Sequence, residues 1–303
     1  MSPETESNAL PYSPARLASN GSQIVVADRG GALLFWSWPD RPGPMVQAHG
    51  DGGPLAVVGD DFASSGGWDP SVALWDGQTG ARRYHLKLFD GRVTALAGQG
   101  NHLIVAGANR EPVPAGRETN KDKVSLQPGQ LMRITPEGQA SQHSFSADGQ
   151  INALAAGPDW IMATDSARPS LVYRLLEGGQ QDSFELQEGP VTALVATGET
   201  LYFADLAGVW ALNVDTLKSS LVASLDAESL RVLALEKVGR YLFGATSEGI
   251  VRWPGGNHFA GDGRQPVAMA RHGESLLVLW GGGLLEQRNP GTAEVEVSKT
   301  VPR

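Results

Sequence analysis

One short phrase recurs seven times along the chain, and that recurrence limits the possible folds more than any other feature. An apolar strand, a Gly or polar turn and a second strand ending in small residues return as RLASNGSQIVVAD, PLAVVGDDFASSG, TALAGQGNHLIVAG, NALAAGPDWIMATD, TALVATGETLYFAD, LALEKVGRYLFGAT and AMARHGESLLVLW. With Leu17, Val57, Leu96, Leu154, Leu194, Leu235 and Met269 aligned, the steps are 40, 39, 58, 40, 41 and 34 residues. A third apolar segment follows six copies as LLFWSW, VALWD, LMRIT, LVYRL, VWALN and IVRWP, and the seventh as the weaker LLEQR. A fourth, more polar strand closes most units, as in ARRYHLKL, QASQHSF and AEVEVSK. The runs alternate, are bounded by Gly, Asn, Asp and Pro, and show no long helical period.

Four short strands per unit at a period near 40 residues predict an all-β fold, a seven-bladed β-propeller with four-stranded antiparallel blades. Each blade can bury its faces only against neighbours, so a closed ring is the stable arrangement. Residues 15–303 make one such domain, and 1–14 a flexible N-terminal tail. Counted from Arg16, every blade has four strands of its own, with AEVEVSK as the outer strand of the last. The composition agrees: 41% apolar and 19% charged residues are globular proportions, and 38 Gly in 303 residues supply turns.

The same composition narrows the functional classes. Zero Cys removes disulfides, thiolate metal sites and a Cys nucleophile. A formal charge of −9 argues against a general nucleic-acid binder. Twelve acids against three bases between Asp148 and Glu228 carry that excess and read as a solvated acidic surface or, alternatively, an acidic docking patch. No apolar run approaches the ~18 residues of a membrane span, and MSPETESNALPYSP has no signal-peptide h-region. The expectation is a cytoplasmic protein without membrane contact.

At residues 65–76 the sequence SGGWDPSVALWD, followed by GQTG, closely resembles the defining stretch of a WD-repeat protein. Trp75-Asp76 stands where that family carries its name-giving dipeptide, and His49 lies in the connection into this blade, where the family places a Gly-His pair. The resemblance implies a buried hydrogen-bond network from Trp75 through Ser65 to His49 and Asp69. It also implies protein partners. Rings of this family usually close by exchanging a strand between the termini, which the strand count here makes unnecessary. The motif is complete once; Trp36 and Trp253 occupy equivalent third strands without a matching His.

The sequence carries no familiar catalytic pattern. There is no GxSxG, HExxH, P-loop or EF-hand calcium loop, and the six His show no i,i+4 pair. No cofactor or metal is expected. An axial site would need polar groups on innermost strands, where only Asn152 and Glu236 stand out. The alternative function, a propeller enzyme or small-ligand receptor at the central channel mouth, rests on those two.

A rigid disc carrying loops is the better-supported use. Six connections between second and third strands are short, whereas the third runs from Asn109 to Pro128 and accounts for the long 58-residue step. Connections above about 12–15 residues without structure of their own are usually functional or disordered, so this one is either a partner-contacting arm or a mobile insertion without a role. The expected docking face combines this arm (Arg110, Arg117, Lys121, Lys123) with Trp68, Trp280, Arg29, Arg168 and Arg264. Exposed Trp and Arg together have the composition of an interface hot spot.

Overall fold

The computed structural model describes residues 14–111, 126–143, 145, 147–168, 171–176, 180–185, 190–225, 231–259 and 261–302. Consecutive runs of four strands form seven antiparallel sheets. Blade one comprises β1 (Pro14–Ser19), β2 (Ile24–Asp28), β3 (Ala32–Ser37) and β4 (Arg41–Gln47). Blade two comprises β5 (Leu55–Val58), β6 (Asp61–Ser65), β7 (Ser71–Trp75) and β8 (Arg82–Lys87). Blade three has β9 (Arg92–Gln99), β10 (His102–Ala108), β11 (Gln130–Ile134) and β12 (Ala140–Gln142). Blade four has β13 (Ile151–Ala156), β14 (Trp160–Asp165), β15 (Leu171–Leu176) and β16 (Gln181–Glu185). Blade five follows with β17 (Ala193–Thr197), β18 (Thr200–Ala204), β19 (Gly208–Asn213) and β20 (Lys218–Ser224). Blade six is built from β21 (Val232–Val238), β22 (Tyr241–Thr246), β23 (Gly249–Trp253) and β24 (Asn257–Phe259). β25 (Pro266–His272), β26 (Ser275–Trp280), β27 (Leu284–Arg288) and β28 (Val295–Thr300) complete blade seven.

Burial explains why the strands read as they do. Second and third strands are covered on both faces by neighbouring blades, so IVVAD of β2 and SVALW of β7 are buried at every position. Outer strands lose that cover and turn polar, as RRYHLK of β8 and VEVSKT of β28 do. Among the described residues the apolar core divides into seven clusters, one for each blade–blade interface. The last interface closes the ring: Leu17, Ile24, Val26, Leu34 and Trp36 of blade one pack on Ala270, Leu277, Leu279 and Leu285 of blade seven. Trp38 Nε1 donates to Gln287 Oε1 (2.7 Å) and Ser19 Oγ meets His272 Nδ1 (2.8 Å) across the same seam. All four strands of blade seven come from residues 266–300, so closure needs no exchanged strand.

Pro14 opens β1 and pairs with Asp28, one residue inside the expected tail; residues 1–13 lie outside the described part. No described helix is long and apolar enough to cross a membrane.

Candidate functional site

The connections entering each blade share a face with the turns between second and third strands. Gly52 N donates to Arg29 O (2.8 Å), Asp90 N to Asn109 Oδ1 (2.8 Å), Ser166 N to Gln150 O (2.8 Å) and Gly281 N to Gln265 O (2.8 Å). Most of these turns carry a buried polar cap at the end of the second strand. Asp28, Asp165 and Asp205 accept backbone N–H groups of the turn, and Thr246 does the same with its hydroxyl. Asp165 takes four backbone donors and the Tyr173 hydroxyl; burial opposes its charge, but these hydrogen bonds prevail and hold its carboxyl below the usual range.

Blade two departs from this pattern. Trp75 Nε1 donates to Ser64 Oγ (2.9 Å), Ser64 Oγ lies 2.9 Å from His49 Nε2, and His49 Nδ1 lies 3.0 Å from Asp69 Oδ2. His49 is buried, and Asp69 also accepts the Ser71 N–H (3.0 Å). Burial opposes the Asp69 charge; hydrogen bonds from Ser71 and His49 outweigh it and keep the carboxyl below its ordinary value. The relay therefore runs through Ser64, and the expectation of Ser65 is corrected. Trp75 pairs with Phe62 and Ala73 with Ser64, so Ser64 shares the Trp75 face, whereas Ser65 points to the opposite one. Its hydroxyl is buried there without a partner. Buried indole N–H groups of Trp36, Trp160 and Trp210 likewise lack one, so Trp75 differs from these three in having its donor satisfied.

The β6–β7 turn carries Trp68, the most exposed large apolar residue described, at 64%. Asp51 fixes the turn by accepting the N–H groups of Gly67 (2.9 Å) and Trp68 (2.8 Å). The Arg92 guanidinium sits 5.3 Å from the indole centroid and donates to Gln150 Oε1 at 2.5 Å. Arg92 thus links blades two and four. Sequence reasoning missed it, because one Arg opening an innermost strand carries no local signal of which ring it will meet.

The other expected docking residues scatter. Arg29 is exposed in the turn whose carbonyl holds Gly52, next to Asp51. Arg110 is exposed and bridges to Leu126 at the base of the long connection. Arg117, Lys121 and Lys123 lie outside the described residues. Arg168 is exposed on blade four, 2.9 Å from Asp148. Arg264 is exposed in the connection into blade seven, across blade one from Trp68.

Trp280 is a correction. It is fully buried, its Nε1 donates to Glu286 Oε2 (2.7 Å), and Arg288 lies 5.6 Å over its ring. It continues the Leu276–Val278 face of β26 into the layer against Phe243, Ala245 and Ile250 of blade six. Gly261 permits this, since an added Cβ there would stand 2.3 Å from the ring.

The two axial candidates do not meet. Asn152 is exposed near the start of β13 on the loop-bearing face, where the strand register shifts. Glu236 lies in the second half of β21, between the innermost strands of blades six and seven. Burial raises its carboxyl to about 7, against opposing hydrogen bonds from the Lys237 and Arg271 backbone and the Arg271 charge. On the opposite face a recess of about 300 Å³ is lined by Ser19, Asn20, Val57 and Arg271, without a convergent acid–base pair.

No protein-family model and no curated protein matches the chain. Solved structures do. The β-propeller domain of Myceliophteria thermophila Cps50 (Swd1) aligns with 96% of this chain and 97% of its own, at TM-score 0.67 and 14% identity. The WD40 repeats of RRP9 align with 91% of this chain and 89% of their own, at TM-score 0.70 and 14% identity. The computationally designed Ika8 protein covers 96% of this chain and 88% of itself, at TM-score 0.67 and 16% identity. The chain has the fold of these proteins, a seven-bladed β-propeller similar to those of WD40-repeat domains.

Proposed function

We propose that this chain is a non-catalytic protein-interaction subunit, a scaffold or adaptor in a cytoplasmic multiprotein assembly, docking a partner on the face that carries Trp68. The observation that carries this reading is the Trp68 platform. An indole 64% exposed contributes little to the fold, yet two backbone hydrogen bonds to Asp51 fix the turn that bears it and Arg92 flanks its ring. A rigid aromatic beside a guanidinium loses little conformational freedom on binding and offers large contact area, the composition of interface hot spots. Exposed Arg29 and Arg110 on the flanking blades favour an acidic partner surface.

The test compares capture from the native host by the wild-type chain, by Trp68→Ala and by Leu221→Ala on the exposed outer strand of blade five. Trp68→Ala should weaken recovery of the principal partner roughly tenfold, about 1.4 kcal/mol, with unchanged melting. Leu221→Ala should recover it fully. Undiminished capture by Trp68→Ala refutes this face as the docking surface.

A further inference from the structure

Three side chains of blade two come together from separate segments. His49 arrives from the connection into the blade, Asp69 from the β6–β7 turn and His85 from the outer strand β8. One donor atom from each lies within 4.8 Å of the other two. The rings of His49 and His85 are 6.1 Å apart at 61°, an edge-on approach. The WD-type relay uses only His49 and Asp69, so His85 calls for a separate account. It stands exposed on β8 and belongs to none of the apolar clusters, yet its Nε2 meets Ser71 Oγ at 2.6 Å, beside the Asp69 carboxylate.

We propose that blade two holds a divalent transition-metal ion of the Zn²⁺ type, with His49 Nδ1, Asp69 Oδ2 and His85 as ligands and water completing the shell. Two imidazoles and one carboxylate suit Zn²⁺ and its neighbours, whereas Mg²⁺ and Ca²⁺ select oxygen donors. His49 Nδ1 and Asp69 Oδ2 are 3.0 Å apart, close to the ~3.3 Å that separates two ligands around a tetrahedral ion at ~2.0–2.1 Å. The His85 donor stands within 4.8 Å of the other two, so binding requires its exposed ring to move inward from its contact with Ser71 Oγ.

The supporting groups are in place as well. With Nδ1 on the metal, His49 Nε2 carries the proton and donates to Ser64 Oγ, 2.9 Å away, which fixes tautomer and ring plane. Asp69 Oδ1 accepts the Ser71 N–H, which leaves Oδ2 for the ion. Asp69 directly follows Trp68, so the ion would tie the turn bearing the exposed indole to the outer edge of its blade.

The experiment titrates tag-free protein with ZnCl₂ by calorimetry and with Co²⁺ by visible absorption, using the wild type, His85→Ala, His85→Gln and the surface control His258→Ala. The wild type and His258→Ala should bind one Zn²⁺ per chain, melt several degrees higher with Zn²⁺ but not Mg²⁺, and give the strong absorption of tetrahedral Co²⁺. Both His85 variants should bind Zn²⁺ roughly tenfold or more weakly while their metal-free melting stays unchanged. Absence of stoichiometric binding by the wild type, or equal affinity in folded His85→Ala, overturns the site.

Discussion

Adjacent serines in β6 should respond oppositely to the same substitution. Ser64→Ala strands two buried groups, the Trp75 N–H and His49 Nε2, both 2.9 Å from the lost hydroxyl. An unpaired buried polar group costs about 1–3 kcal/mol, so the pair should cost about 2–6 kcal/mol. Ser65→Ala removes a hydroxyl already buried without a partner, so it should be neutral or stabilise by up to about 1 kcal/mol. At roughly 2 °C per kcal/mol for a chain of this size, Ser64→Ala should lower Tm by roughly 4–12 °C and Ser65→Ala should leave it level or raise it. Urea unfolding followed by tryptophan fluorescence supplies a second measure, provided both variants keep the wild-type m-value. A cycle combining Ser64→Ala with His49→Ala should be strongly non-additive, because each change removes the same hydrogen bond. Equal losses at Ser64 and Ser65, or no loss at Ser64, would show that the relay does not stiffen blade two.

Two further outcomes can be read by the same unfolding measurements. Trp280→Ala should cost about 3–5 kcal/mol, because it empties part of the layer between blades six and seven and removes one hydrogen bond from Glu286, which keeps its pairing with Arg288; an unchanged midpoint would mean that the ring is dispensable to the fold. Glu236→Gln should flatten the loss of stability toward alkaline pH. The folded-state pKa of Glu236 is raised from 4.5 to about 7, so its stabilising contribution is complete below about pH 4.5 and is lost as pH rises through about 7, by at most about 3 kcal/mol. Identical pH profiles from pH 5 to 8 for wild type and variant would exclude that carboxyl as the source.

The blades were legible because their core is made between repeats. Each unit must present the same apolar alternation to its neighbours, and the phrase ending in VVAD, MATD or YFAD marks the end of the second strand in each. What those Asp residues do, capping the following turn, could be inferred from residue type. The Ser64–Ser65 distinction depended on register, which a five-residue turn leaves open by one position, and a shift of one position reverses the face. Trp280 illustrates the same point: the Gly run after it suggests a loop, but Leu276, Val278 and Trp280 share one face of β26 and continue inward together. Arg92 and His85 were beyond reach. Their significance comes from a ring on another blade and a carboxylate in another turn, and no local pattern records either meeting.

Blade two spends its polar groups differently from blades one, four, five and six, and that difference bears on Trp68. In blades one, four, five and six a single Asp or Thr ends the second strand and satisfies the next turn from within. In blade two the corresponding position is Ser65, whose hydroxyl makes no such bond, and the turn is held from both sides instead. Asp51 takes the N–H groups of Gly67 and Trp68, while Asp69 takes that of Ser71 and leans on His49. The turn is therefore rigid although its largest side chain is outside the core. Full burial of an aromatic side chain is worth on the order of 2–3 kcal/mol, which this chain forgoes at Trp68 while sealing Trp36, Trp75 and Trp280 almost completely. A flexible exposed loop would need no such clamp, and a packed Trp would need no such turn. Fixed backbone under an exposed indole is the arrangement that the proposed docking of a partner on this face requires.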